Sequence, residues 1–117
     1  MRSLAVSRLG GTHALAERVS VADRFWTRTR GLLGRQPLQR GEGLLLSPCK
    51  AVHTVGLRYA IDVAFLDASG TVVAVYRGLE PNRRTRWHAL AQSALELPAG
   101  TLERTELAEG QRLSWGG

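Results

Sequence analysis

Three features of the amino-acid sequence predict a mainly β fold, a compact antiparallel sandwich or barrel, jelly-roll-like in plan, with one short helix. Apolar residues recur in short alternating or β-branched runs. Turn signals separate these runs at intervals of about eight to twelve residues, the rhythm of small all-β domains. Only one stretch carries convincing helical spacing.

The elements follow in order. "LAVSRL" and "ALAERVSVA" alternate apolar and polar residues, as half-buried strands do. In "VADRFWTRTRGLLGRQPL" Asp23 can cap a helix whose apolar positions include Phe25, Leu32 and Leu33, with Thr29 between them. Gly34 then closes it and Pro37 prevents its continuation, which places the helix near residues 23–34. "GEGLLLS" reads as a short strand ending at Pro48. "AIDVAFLDASGTVVAVYRGL" gives two β-branched runs joined by Asp67-Ala68-Ser69-Gly70, a hairpin in which Asp67 opens the turn and Gly70 accepts positive φ. Ile61, Val63 and Phe65 fall on one side of the first run and Ala64 and Leu66 on the other, so that strand is covered on both faces. "EPNRRTRWHALAQ" is polar and turn-rich, with a helical turn expected at "HALAQ". "SALELPAGT" is a strand stopped by Pro98 and Gly100, and a turn at Gly110 leads into a last strand in "LAEGQRLSW".

A chain of 117 residues has room for one core, and the expectation is a single domain over residues 1–117. One cysteine forms no intramolecular disulfide and suits a reducing compartment. The N-terminal stretch has neither the apolar run of a signal peptide nor the length of a membrane span, so a cytoplasmic location is expected. Net charge is +6, and fifteen of the sixteen basic residues are arginine, Lys50 being the exception. Arginine forks suit phosphate and carboxylate, while a coding preference would produce the same scatter of arginines.

The densest chemistry lies in "SPCKAVHTVGLRYAIDVAFLD". Ser47-Pro48 resembles a helix start, which would set Cys49 in a first turn and favour its thiolate, with His53 stacked one turn on. Val52, Thr54, Val55 and Gly56 oppose a helix, and in an extended strand residues four apart lie about 13 Å from one another, too far to pair. One cysteine and three scattered histidines offer no zinc motif, and no cofactor is expected. Asp62 and Glu96 are carboxylates inside apolar strand patterns, and each must be hydrogen-bonded or paired if buried. Arg58 or a backbone turn would satisfy Asp62 structurally. Alternatively Asp62, His53 and Arg58 converge on a small polar ligand. A second basic cluster, Arg83, Arg84 and Arg86 with Trp87, joins Arg24, Arg28 and Arg35 as a polyanion-binding candidate, since single-strand binders combine arginine with aromatics.

Taken as an ordered series, "RTRGLLGR", "GLLLSPCKAVHTVGLRYAIDVAFLD", "GTVVAV", "LELPAGT" and "LAEGQRLSW" resemble the domain of unknown function 192 family over residues 24–115. The resemblance implies a small β-rich domain from bacteria or archaea with short helices and no assigned activity. Many members carry Trp-Met-Lys-Asn-Thr ahead of Pro-Leu-Asp, where this chain has His53-Thr54-Val55-Gly56-Leu57 and then Ala60-Ile61-Asp62. The His-Thr-x-Gly form resembles a cytoplasmic branch of the family.

The leading functional expectation is a non-enzymatic domain that binds a small ligand or a protein through the region of His53, Arg58 and Asp62, with Cys49 nearby. One alternative is a binder of nucleic acid or another polyanion through Arg83, Arg84, Arg86 and Trp87. The other is a small enzyme dependent on Cys49 and His53, for which no third catalytic member is visible.

Overall fold

The computed structural model describes residues 3–8, 14–22 and 36–116. Among these residues seven strands form one curled sheet: β1 (Ser3–Arg8), β2 (Ala14–Ala22), β3 (Glu42–Leu46), β4 (Ile61–Leu66), β5 (Val72–Leu79), β6 (Ser93–Pro98) and β7 (Leu113–Gly116). Their order across the sheet is β5-β4-β6-β3-β2-β1-β7. Every apolar run read as a strand is a strand. The helix expected near residues 23–34 lies outside the described residues, as do Arg24, Arg28 and Arg35.

The sheet curls into a half-barrel because its two edges approach at one end. Thr71, just before β5, bridges Arg112, just before β7, and the Leu113 N–H donates to the Gly70 carbonyl at 2.9 Å. The β4–β5 hairpin behind this seam is built by Asp67, whose Oδ1 accepts from the Ser69 hydroxyl at 2.7 Å and from the Ser69 and Thr71 amides. The Ser69 hydroxyl foremost, and then the Thr71 amide, hold the Asp67 carboxyl below its ordinary pKa. Gly70 takes φ 85°, as the turn requires.

The sheet departs from the expected antiparallel plan at one place. β2 and β3 pair in parallel, Val19 opposite Gly43 and Val21 opposite Leu45. A parallel pair needs a crossover, and residues 23–41 between these strands supply the length for one.

Strand β4 shows why both its faces read as apolar. All six of its residues are buried. Ala64 and Leu66 belong to one core cluster with Leu95, Leu97, Leu102 and Leu113, while Ile61, Val63 and Phe65 belong to a second with Leu44, Val52 and Ala94. The sheet is therefore clad on two sides, and the second cluster is roofed partly by chain outside the strands, notably Val52 and Ala91.

A helix not foreseen in the sequence, α1 (Thr101–Thr105), follows β6. Its N-cap is Gly100 at φ 94°, with no side-chain cap of its own. Asp62 in β4 supplies the missing acceptor: its Oδ2 takes the Leu102 N–H at 2.8 Å and its Oδ1 the Gly78 N–H of β5, also at 2.8 Å. The register of β4 on β5 shifts between Ile61 and Val63, beside this contact. A carboxylate with 1% exposure is thereby satisfied by two backbone donors.

Candidate ligand-binding ribbon

Two irregular segments, 50–56 and 82–91, lie side by side over the second core cluster. The Thr85 N–H donates to the Val52 carbonyl at 2.8 Å and the Thr54 N–H to the Arg83 carbonyl at 2.8 Å. His53 and Arg84 form the bridge between them. At one end the Asn82 N–H donates to the Thr54 carbonyl, and at the other the His88 N–H donates to that of Lys50. The result is a short two-stranded ribbon.

Alternation fixes what the ribbon shows to solvent. Val52, Thr54 and Thr85 turn inward and are buried, while His53, Val55, Arg84 and Arg86 turn outward. The buried threonines act as rivets: the Thr54 hydroxyl donates to the Glu80 carbonyl at 2.6 Å and accepts the Arg83 N–H, and Thr85 Oγ1 accepts the Val52 N–H. Lys50 is a rivet too, its ammonium donating to the carbonyls of Ala89 and Ala91 at 2.8 and 2.6 Å. The chain's one lysine is thus used in construction, which leaves arginine as the cation of the outer face.

His53 and Arg84, directly opposed across the bridge, stand on the same outer side. Such pairs have Cβ atoms about 5 Å apart. They line a cleft of 430 Å³ whose remaining walls are Ala51, Val52, Val55 and Thr85. No carboxylate lines it. Arg83 meets Glu80 at 3.9 Å, an exposed pair worth little, and no ion pair engages Arg84 or Arg86 among the described residues.

The three exposed large apolar side chains of the described residues are all carried here: Val55, Trp87 at 69% exposure and Leu90 at 78%. Beneath them His88 is buried, its ring 4.5 Å from Phe65 and its Nε2 2.7 Å from the Tyr76 hydroxyl. Burial first, and the nearby Arg86 charge second, push His88 below its ordinary pKa, with Glu109 opposing them.

That depression has a pH consequence. Below the ordinary histidine value of about 6.5 the unfolded chain takes up a proton that the folded chain resists. The stabilisation is therefore complete above that value and is lost as pH falls through the lowered native one. Urea unfolding should show stability declining from neutral pH into this acidic window, and His88→Gln should flatten that part of the curve. An unchanged slope in the variant would remove His88 as its source.

The sequence candidates separate on this scaffold. His53 meets Arg84 and, through the same ribbon, Arg83, Arg86 and Trp87, so residues from two distinct sequence candidates come together. Asp62 does not join them: its two oxygens take the amides of Gly78 and Leu102. Arg58 is exposed in the bend after the ribbon and is not part of the cleft lining, and it does not supply the Asp62 partner. Ser47-Pro48, a cis peptide, opens no helix, and the Cys49 N–H instead donates to the Gln92 carbonyl. The Cys49 thiol donates to the Ala51 carbonyl at 3.1 Å, and Cys49 does not line the cleft. Val55 and Leu90 were not singled out in the sequence. The inward–outward alternation of "AVHTV" and "RTR" was the signal that could have shown a ribbon.

Among the described residues no group of three or more histidine, cysteine or acidic side chains is placed to hold a metal ion, and no helix is long and apolar enough to cross a membrane. The family model DUF192, described as "Uncharacterized ACR", matches residues 6–115. No curated relative matches. Two solved structures share the fold. A protein of unknown function from Novosphingobium aromaticivorans DSM 12444 superposes with a TM-score of 0.81 at 18% identity, covering 97% of this chain and 84% of that one. A candidate transcription regulator from Sinorhizobium meliloti 1021 gives 0.79 at 22% identity, covering 97% and 92%. At such identities the likeness establishes the architecture alone.

Proposed function

We propose that this chain, which belongs to the DUF192 family of uncharacterised proteins, is a non-enzymatic binding domain whose ribbon takes up an anionic ligand or partner in the cleft between His53 and Arg84. One observation carries the reading. Two nitrogen-bearing side chains, locked opposite each other by a backbone bridge, line a concave site with no acid in its wall. The guanidinium of Arg84 has no carboxylate partner among the described residues, so its fork is available to an incoming phosphate or carboxylate.

The ribbon is pre-organised for this task. Thr54, Thr85 and Lys50 fix its backbone, so ligand binding need not order a loose loop. The net charge of +6 adds long-range attraction for any anion. The proposed centre is His53 with Arg84, and Asp62 supports the scaffold behind it.

Thermal unfolding in the presence of inorganic pyrophosphate tests the reading. A hundredfold excess over the dissociation constant stabilises a binding-competent fold by about 2.7 kcal/mol. The melting temperature of the wild type should rise with pyrophosphate, and the rise should shrink in Arg84→Ala and His53→Ala. Equal rises in all three proteins, or none in the wild type, would count against the site.

A further inference from the structure

We infer that the physiological occupant of the ribbon is a single-stranded nucleic acid, its phosphates on Arg83, Arg84 and Arg86 and a base stacked on Trp87. The inference rests on the reading of the ribbon as an anion site and specifies the chemistry of the anion.

Trp87 is the reason. A side chain of that size loses favourable burial when left 69% exposed, and exposed tryptophan in a well-anchored segment marks an interaction surface. The segment is anchored on both sides of it. Thr85 is held by Val52 and His88 by Lys50, Tyr76 and Phe65, so Trp87 is held at the surface by its neighbours. Arg86, beside it in sequence, and Arg84, three positions before it, are exposed and make no ion pair among the described residues. An exposed aromatic on the same short segment as exposed guanidinium groups is the combination that a strand with stacking bases and a phosphate backbone requires.

Trp87 narrows the choice of polyanion. A duplex keeps its base faces stacked on one another and leaves Trp87 only backbone and groove edges, with no open base face to stack on. A bilayer surface offers anionic headgroups for the arginines but no base to stack on Trp87. A flexible strand can place one phosphate on a guanidinium and swing the adjoining base onto Trp87 or into the cleft.

The test is fluorescence anisotropy with a labelled oligothymidylate of about a dozen nucleotides. It is run beside the same sequence in duplex form, vesicles of phosphatidylserine and phosphatidylcholine, and inorganic pyrophosphate. Three phosphate contacts predict a slope of log affinity against log salt near −2, hence an about 20-fold loss between about 50 and 200 mM salt. The double variant Arg84→Ala/Arg86→Ala should flatten that slope to about −0.7. Trp87→Ala should weaken binding about 5- to 150-fold with the slope unchanged. All three side chains are exposed, so the variants should keep the wild-type melting temperature, which is measured alongside.

Equal affinity for single strand and duplex, or full affinity in Trp87→Ala, overturns the inference. Binding to the vesicles without binding to the oligonucleotide overturns it in favour of a membrane surface. Arg84-dependent binding of pyrophosphate without oligonucleotide binding overturns the inference and leaves the anion site standing. Binding of none of the four probes removes both.

Discussion

Asp62→Ala should be the most damaging substitution in the protein. It leaves the amides of Gly78 and Leu102 without their acceptor in a place where the carboxylate is 1% exposed. Each orphaned donor costs about 1–3 kcal/mol, about 2–6 kcal/mol for the pair, a large part of the 5–15 kcal/mol typical of a folded domain. The loss is not confined to one element. Asp62 joins β4, β5 and the start of α1, and α1 has no other side-chain cap. A melting temperature lower by roughly 10 °C or more is expected, with expression sharply reduced. Asp62→Asn keeps one acceptor oxygen but turns its amide toward the other donor, and should fall between wild type and alanine. If both variants melt within a few degrees of the wild type, the carboxylate is not the joint that the geometry makes it.

The second large effect is expected from Phe65→Ala. Phe65 is fully buried, and its ring meets those of Tyr76 at 5.9 Å and His88 at 4.5 Å. Truncating a buried phenylalanine costs about 3–5 kcal/mol through lost transfer energy and the cavity left behind. Here the cavity opens beneath the ribbon, because His88 rests on that ring. Denaturant titration should show the midpoint shifted with the slope retained, since the folded and unfolded surfaces change little. The variant should also respond less to pyrophosphate than its lowered stability alone explains, its ribbon having lost part of its support. A full anion response in Phe65→Ala would mean that the ribbon is held by its own hydrogen bonds without the core below.

Both effects bear on what could be read from the residues. The strands were legible because their signal is local: "AIDVAFLDASGTVVAVY" declares two apolar runs, a turn and the two-sided burial that Ala64 and Phe65 then show in separate core clusters. Helix α1 was not legible, because its cap is far away in the chain. Five residues behind a glycine carry no start signal of their own, and the acceptor that stabilises them is Asp62, 40 positions earlier. The same fact explains the fate of Asp62 as a site residue. A carboxylate in an apolar run signals that it needs partners, and the sequence cannot say whether those are a ligand or two amides. The parallel pairing of β2 and β3 likewise depends on the path of the chain between them, which no periodicity records.

The ribbon was half legible. Arg83, Arg84, Arg86 and Trp87 stood out by composition, and His53 by its spacing from Cys49 and Asp62. Their meeting was hidden because bridges between irregular segments depend on which carbonyls are free after the sheet has formed. Thr54 and Thr85 reveal it in retrospect: a buried threonine in a polar loop usually has a backbone to hold.

The pairing of β1 with β7 reaches beyond stability into the timing of folding. Ser7 meets Ser114 from 107 positions away, at 3.5 Å, and among the described residues β7 is the strand that pairs with β1 on that side. During synthesis β1 must therefore wait with an open edge until residues 113–116 have left the ribosome. Loops closed so late slow the final step and lengthen the interval in which an unpaired edge can find another chain. Among the described strands, the one that covers the outer edge of β1 is the one synthesised furthest from it.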